Sequence, residues 1–150
     1  QLTRKSPEEE TTDIAKEAAE KLFCNNKKLR EKLQCLIVVT QNPDGQGLPH
    51  SSAILHHKLG LSEECAVFDI SLGCSGFVQG LAVAKGFMES QGYSDGLLVT
   101  ADPYSKIINP DDRDTALLFG DGATATWLGN QPIWDLVSCD FGILSSKHQA

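Results

Sequence analysis

The stretch from Val67 to Leu81 constrains the fold of this chain most strongly. A short apolar run, Val67 to Ile70, is typical of a buried strand, and it leads into a glycine-flanked cysteine, Cys74. An apolar pattern with helical spacing then begins at Phe77. The stretch therefore predicts a strand that turns sharply into a helix, with Cys74 at the helix N-terminus. Unpaired N–H groups and the positive end of the helix dipole favour a thiolate there, so we predict that Cys74 is a nucleophile.

Other segments alternate between predicted strands and predicted helices. The strands are expected at 35–40, 66–70, 96–100 and 123–128, and helices are expected at 51–59 and 77–90. This alternation indicates an α/β fold with mainly parallel strands and helices on both faces of the sheet. The helix at 77–90 is apolar nearly all round in its first turns, so we expect it to be buried.

The two ends of the sequence give weaker patterns. An apolar face at helical spacing, Ile14 to Phe23, predicts an N-terminal helix. Ser6 with Glu9 forms a potential capping box for its start, and 11–13 is a competing start one turn later. The run from Ile133 to Val137 is a possible last strand. No repeat or linker is visible, so the sequence predicts one domain.

Composition excludes several classes of function. The 150 residues carry a net charge of −7 and form no basic stripe, which argues against a nucleic-acid partner. No apolar run approaches the roughly 20 residues that cross a bilayer, and the sequence does not open with a signal-peptide pattern. The five cysteines lack zinc-ligand spacing, so we expect no metal site and, apart from Cys74, buried thiols in the reducing cytoplasm.

Three motifs resemble one known family. The run Phe68–Phe77, FDISLGCSGF, is similar to the nucleophile segment of 3-oxoacyl-[acyl-carrier-protein] synthase III, a thiolase-like condensing enzyme. Asn109–Thr115, NPDDRDT, resembles the D-P-T-D-R-G-T segment of that family, although Asp114 replaces its glycine. Leu118–Ala123, LFGDGA, matches its F-G-D-G-A segment. Chalcone-synthase-like and HMG-CoA-synthase-like enzymes use a nucleophilic cysteine in the same way, but these motifs favour synthase III.

The resemblance implies a thiolase-like three-layer αβα half-domain with a mostly parallel mixed sheet. Residues 1–150 are expected to be the N-terminal half-domain, with its first strand and the whole second half absent. The resemblance further implies a cytoplasmic homodimer in fatty acid or related lipid synthesis, with no cofactor beyond acyl-CoA as a substrate. Cys74 takes the acyl group as a thioester, and malonyl-acyl carrier protein then condenses with it by losing carbon dioxide. The histidine and asparagine that assist Cys74 belong to the second half.

The resemblance also suggests substrate-binding residues. Arg113 corresponds to a family arginine near the CoA adenine, although a surface ion pair with a neighbouring aspartate is the other interpretation. Leu48 lies in a loop that corresponds to the family loop lining the acyl pocket of the partner subunit. Phe77, beside Cys74, is predicted to pack in the core, with a substrate contact as the alternative. The Gly120–Gly122 segment is predicted to be a tight structural turn and not a phosphate loop.

Two other functions remain open from the sequence. The chain could be a non-catalytic paralogue or fragment that serves dimerisation or carrier binding, although the intact Cys74 argues against this. It could also be a cysteine hydrolase whose base is His50 or His57, but no spacing supports that pairing. His56 and His57 are expected at the surface or at a helix end, and His148 lies in no recognisable motif.

Overall fold

The computed structural model of the chain describes residues 3–109 and 111–143. They form a sheet of four strands, which are β1 (Cys35–Val39), β2 (Ala66–Ile70), β3 (Asp95–Asp102) and β4 (Gly122–Gly129). The order across the sheet is β2-β1-β3-β4. β1 runs parallel to both β2 and β3, whereas β4 is antiparallel to β3. The predicted mixed, mostly parallel sheet is therefore confirmed.

Helices cover both faces of this sheet. They are α1 (Thr11–Asn25), α2 (Leu29–Lys32), α3 (Ser51–Leu59), α4 (Gly76–Gln91) and α5 (Arg113–Ala116), and a 3₁₀ turn spans Tyr104–Lys106. α1 and α3 pack on one face, and within residues 3–109 and 111–143 α4 is the helix that packs on the other. This arrangement is the predicted three-layer αβα sandwich.

Strand β1 lies at the centre of the core. Leu36 and Val38 point toward α1 and α3, and Ile37 and Val39 point toward α4, as the alternation of side chains along a strand requires. Every residue of β1 is buried. Burial on both faces explains why the segment is continuously apolar.

Helix α4 is less buried than its sequence predicts. Only Gly76, Gly80, Ala84 and Met88 of this helix are buried, and they form one narrow stripe against the sheet. Val78 and Val83 are 50% and 46% exposed. The prediction of an enclosed helix is therefore wrong for this chain, because nothing in the described residues covers the outer side of α4.

The N-terminal helix begins at Thr11, so the predicted start at Ser6 is wrong and the competing start is right. Glu10 and Asp13 form the capping box, in which the Glu10 N–H donates to the Asp13 carboxylate. The Asp44 carboxylate, from the loop after β1, accepts a second bond from the Thr12 N–H at 3.0 Å. The Ser6 N–H instead donates to the Glu9 carboxylate within an isolated turn.

The possible strand at 133–137 is not formed. Ile133, Trp134 and Val137 are about nine-tenths exposed, and no described strand pairs with this segment. A strand needs a neighbouring edge for its N–H and C=O groups, and β-propensity alone does not supply one.

Candidate active site

The turn between β2 and α4 is shaped by glycine. The Gly76 N–H donates to the Gly73 carbonyl at 2.7 Å, which closes the turn around Cys74 and Ser75. A Cβ atom at Gly76 would lie 2.4 Å from Val39 Cγ1, and one at Gly73 would lie 2.6 Å from Gln41 Oε1. Glycine at position 76 therefore lets α4 approach β1 closely, whereas the neighbour of Gly73 is the movable end of a side chain.

Cys74 is exposed and precedes α4 by two residues. The Ser75 hydroxyl does not cap the helix, since it accepts a bond from the Gln79 amide at 2.9 Å. The Cys74 N–H also makes no backbone hydrogen bond within the described residues. The turn therefore places a thiol beside N–H groups that can face an anion.

The other cysteines of the sheet have a different environment. Cys35 and Cys65 are buried, and burial raises the pKa of each thiol to about 11. Both thiols therefore stay protonated near neutral pH, which suits packing and not nucleophilic chemistry. The prediction of buried structural thiols is confirmed for these two, but it is wrong for Cys24, which is exposed, and for Cys139, which is only partly buried.

An open pocket of about 220 Å³ surrounds Cys74. Val39 and Thr100 come from the carboxyl ends of β1 and β3, where parallel α/β sheets usually bind their ligands. The rings of Phe77 and Tyr104 form further parts of the wall. Phe77 is 41% exposed and so does not pack in the core, contrary to the first interpretation of this residue.

Tyr104 is a pocket residue that the sequence did not suggest. Its ring stacks on Phe119, with the centroids 4.8 Å apart, and this contact orients it. Burial and the nearby Asp102 and Cys74 raise the pKa of Tyr104, so its hydroxyl remains neutral. The available signal was its place directly after β3, at the carboxyl edge of the sheet.

Asp102 organises the floor of the pocket. Its Oδ1 accepts hydrogen bonds from Thr40 Oγ1 at 3.1 Å, the Gln41 N–H at 2.8 Å and Asn42 Nδ2 at 3.0 Å. The carboxylate thereby ties the end of β3 to the loop that follows β1. The Gln41 side chain lies near Gly73, since a Cβ atom there would come 2.6 Å from its Oε1, so Asp102 holds the backbone of a residue that neighbours the Cys74 turn.

Two acidic residues of the motifs, Asp69 and Asp121, have structural contacts. Asp69, at the end of β2, accepts the Ser51 and Ser52 N–H groups at 2.7 Å each and so caps α3. Asp121, in the F-G-D-G-A motif, accepts the N–H groups of Lys5 and Ser105 at 2.7 and 2.8 Å. These bonds support the prediction that Gly120–Gly122 is a structural turn.

The remaining predicted site residues do not line the pocket around Cys74. Arg113 begins α5 and is exposed, and it makes no ion pair within the described residues. Leu48 is 88% exposed in the loop before α3. Both side chains are accessible, but the described part of the chain does not place them in the pocket of the thiol.

No histidine of the described segments contacts the thiol pocket. His50 precedes α3, and the His56 ring bonds the Ser62 carbonyl at 2.8 Å. His56 and His57 both lie in the last turn of α3, so these two residues are at a helix end, as expected. His148 lies outside the described residues. A cysteine hydrolase with a base from His50 or His57 is therefore not supported.

A search of the described residues finds no cluster of three acidic, histidine or cysteine side chains that could hold a metal ion. Among the helices of the described residues, none is long and apolar enough to span a membrane.

The profile of the family described as 3-Oxoacyl-[acyl-carrier-protein (ACP)] synthase III matches residues 68–146, more than half of the chain. The matched range holds Cys74 and all three motifs. The chain belongs to the synthase III family. A curated β-ketoacyl-[acyl-carrier-protein] synthase III of Caldanaerobacter subterraneus is 41% identical over 93% of this chain. The corresponding protein of Clostridioides difficile is 42% identical over 81% of it.

Solved structures of synthase III share the fold. A 3-oxoacyl-(acyl-carrier-protein) synthase III structure superposes with a TM-score of 0.80, at 41% identity over 89% of this chain. The synthase III of Thermus thermophilus gives a TM-score of 0.77 at 34% identity over 84%. This chain spans 40% of the Caldanaerobacter relative and 38–39% of these two structures. The synthase III family therefore describes its fold and motifs, while the matched proteins are more than twice as long.

Proposed function

We propose that this chain carries the nucleophile part of a β-ketoacyl-[acyl-carrier-protein] synthase III. In the complete enzyme an acyl-CoA starter condenses with malonyl-acyl carrier protein in fatty acid or related lipid synthesis, in the cytoplasm. One observation carries this proposal: the exposed Cys74 thiol opens into a pocket directly before the α4 N-terminus. The names of the curated relatives support the reaction class.

In the first step the Cys74 thiolate attacks the carbonyl carbon of the acyl-CoA thioester. The bond to the CoA sulfur breaks, CoA leaves as its thiolate and takes up a proton, and Cys74 holds the acyl group. The Cys74 N–H, which has no described backbone acceptor, is one candidate donor to the oxyanion of the tetrahedral intermediate. The Cys74 turn lies directly before the α4 N-terminus, where backbone N–H groups can face the negative charge that develops in this step.

In the second step malonyl-acyl carrier protein loses carbon dioxide. The electron pair of the broken bond forms an enolate, its carbon attacks the acyl-Cys74 thioester, and the Cys74 thiolate leaves. The enolate requires hydrogen-bond donors, and no described histidine reaches the pocket. We therefore assign residues 1–150 to one half-domain and the enolate-stabilising groups to a second half-domain outside them.

The pocket suggests a role for three neighbouring side chains. Phe77 and Tyr104 flank the thiol and are positioned to contact the acyl chain, and Phe119 supports the Tyr104 ring.

Two residues outside the pocket also have proposed roles. Arg113 can stack on the CoA adenine or bind a phosphate, because its guanidinium is unpaired among the described residues. Leu48, exposed on its loop, is assigned to the acyl pocket of a second copy in a homodimer.

An acylation assay tests the nucleophile. The chain is incubated with acetyl-CoA or octanoyl-CoA, with and without the second half-domain of a family relative, and its intact mass is measured. We expect one acyl adduct, lost in Cys74→Ala and retained in Cys24→Ala, a matched control at another exposed cysteine. An adduct that persists in Cys74→Ala would exclude Cys74 as the nucleophile.

The same assay tests the division of the site. With malonyl-acyl carrier protein present, we expect condensation only when a second half-domain is supplied. If residues 1–150 condensed the substrates alone, the assignment of the enolate-stabilising groups to another half-domain would be wrong. The absence of adducts in both settings would favour the non-catalytic alternative, a dimerisation or carrier-binding chain.

A further inference from the structure

A second pocket, which we call the lysine–tryptophan pocket, lies at the other end of strand β3 from the Cys74 pocket. It has a volume of about 280 Å³. It is formed by the turn between α1 and α2, by α2 and by one side chain of β4, and its lining residues are Asn26, Lys27, Lys28, Leu29, Lys32 and Trp127. Leu29 is buried beneath it, so the pocket has an apolar floor and cationic walls.

The indole of Trp127 is held in place yet remains accessible. Its Nε1–H donates to Asp95 Oδ1 at 2.9 Å. Gly129 lies against the ring, and a Cβ atom there would come within 3.0 Å of Nε1 and 3.1 Å of Cε2. The side chain nevertheless stays 42% exposed. A ring fixed at its edge by a hydrogen bond, with surface left open, provides a preorganised platform for stacking.

The three lysines of the pocket keep their charges available. Lys27, Lys28 and Lys32 are exposed and take part in none of the ion pairs among the described residues. Arg30, on the same turn of helix, is engaged by Glu20 at 2.5 Å. Of the acidic residues in the neighbouring elements, Glu20 pairs with Arg30, Asp95 accepts from the Trp127 indole and Glu31 lies in α2. None of them lines the pocket, which has three lysines and no acidic residue in its wall. This excess occurs in a chain whose net charge is −7.

We propose that the lysine–tryptophan pocket binds an adenine nucleotide or a similar phosphorylated heteroaromatic compound. The base stacks on Trp127, and the phosphate is held by Lys27, Lys28 and Lys32 as point charges. The volume of about 280 Å³ lies just below the roughly 300–1,000 Å³ of typical small-ligand sites, which favours a ligand no larger than a mononucleotide. A single phosphate needs only this local cluster, whereas a nucleic acid needs the basic stripe that the sequence lacks.

The pocket is separate from the thiol along strand β3. Asp95 begins this strand beside Trp127, and Asp102 ends it in the Cys74 pocket. Seven residue steps in a strand span about 23 Å. The proposal therefore does not depend on the acyltransferase function, and either can fail alone.

Trp127 fluorescence provides the test. The sequence has two tryptophans, so a Trp134→Phe background leaves Trp127 as the only indole. Titration with AMP is compared with ribose 5-phosphate, adenosine and coenzyme A at constant ionic strength. We expect AMP to quench the fluorescence and bind about tenfold or more tightly than adenosine or ribose 5-phosphate. The ratio of AMP to coenzyme A affinities distinguishes a free nucleotide from the nucleotide part of the coenzyme.

Matched charge variants complete the experiment. Lys28→Gln should weaken AMP binding several-fold, while Lys85→Gln, an exposed lysine on α4, should leave it unchanged. Raising the salt from low to high concentration should weaken binding further, because the lysines are exposed. Equal affinities for AMP and adenosine, equal effects of the two lysine variants, or no quenching at millimolar AMP would each overturn the proposal.

Discussion

The two faces of the sheet are packed in different ways. Among the described residues, fourteen buried apolar side chains form one cluster on the α1 and α3 face, whereas four do so beneath α4. The first face uses large side chains such as Phe23, Leu36 and Leu55, and the second uses Gly76, Gly80 and Ala84 to bring a helix close. The first face therefore supplies most of the stability, and the second sets the position of Cys74.

The face with the larger apolar cluster also has more polar contacts. Carboxylates fasten the α1 side: Asp13 pairs with Lys58, Glu10 pairs with Lys106, and Asp44 binds Thr12. On α4 the described residues include only the exposed pair of Lys85 and Glu89. Exposed pairs of this kind contribute little to stability. Among the described residues, the outer side of α4 therefore has no covering layer, and its one ion pair is the exposed one.

The largest expected effect is on the α1 and α3 face. Leu55→Ala removes a fully buried side chain and should lower the free energy of unfolding by about 2–5 kcal/mol, because the packed helices cannot fill the cavity. Urea denaturation followed by circular dichroism measures this. A loss below about 1 kcal/mol would mean that this face is not the main source of stability.

A second prediction concerns the glycines of α4. Gly76→Ala should cost about 1–3 kcal/mol, because its Cβ would lie 2.4 Å from Val39 Cγ1. Gly86→Ala, in the same helix but in open space, should instead stabilise the chain by up to about 1 kcal/mol. Denaturation of both variants separates close packing from helix propensity. If the two variants were equally stable, the close approach of α4 at Gly76 would not be a constraint.

A third prediction concerns the pH dependence of the stability that Asp121 provides. Burial raises the pKa of Asp121, but hydrogen bonds from Ser105 and Lys5 outweigh it, so the folded-state pKa lies below 3.8. Its contribution is therefore complete well above pH 3.8 and is lost as the pH falls through the folded pKa. Asp121→Asn should cost about 1 kcal/mol at pH 7, since one charged acceptor is lost.

The acid profile of this variant provides the control. Below about pH 4 the stability difference between Asp121→Asn and the unmodified chain should shrink, because the aspartate then becomes protonated. Denaturation at several pH values from neutral to acidic measures the difference. A difference that stays constant over this range would show that ionisation of Asp121 does not stabilise the fold.

The smallest effect is expected on the outer side of α4. Val83→Ser should change the free energy of unfolding by less than about 0.5 kcal/mol, because the side chain is 46% exposed. The measurement is repeated at low and high protein concentration. A larger loss that grows with concentration would mean that another copy covers this face, and the contrast between the two faces would then apply only to the single chain.

Sequence patterns predicted the positions of helices and strands better than the burial of their side chains. The strands at 35–40, 66–70, 96–100 and 123–128 and the helix at 51–59 follow from apolar runs and glycine stops, which are local signals. The exposure of Val83 was not predictable, because apolar periodicity does not tell which layers are present. The choice between the two possible α1 starts was not predictable either, because the start at Thr11 gains a bond to Asp44, which is distant in sequence.

For the site, too, residues marked by a local pattern were predictable, and residues that depend on the tertiary structure were not. Cys74 was identified from a local strand–turn–helix pattern, and the structure describes it as exposed in a pocket. Tyr104 and Asp102 were missed because their importance depends on the sheet order, which brings the end of β3 beside β1. The assignments of Arg113 and Leu48 remain predictions from the family resemblance.

The bond between the Lys5 N–H and Asp121 has a consequence for synthesis of the chain. It joins residues 116 positions apart, and α1 packs against β4 as well as β3. At 5–20 residues per second, α1 waits roughly 5 to 25 s on the ribosome before β4 is made. During this interval its apolar face has no complete partner, while β1, β2 and α4 are already available to one another. The thiol turn can therefore form before the N-terminal helix docks.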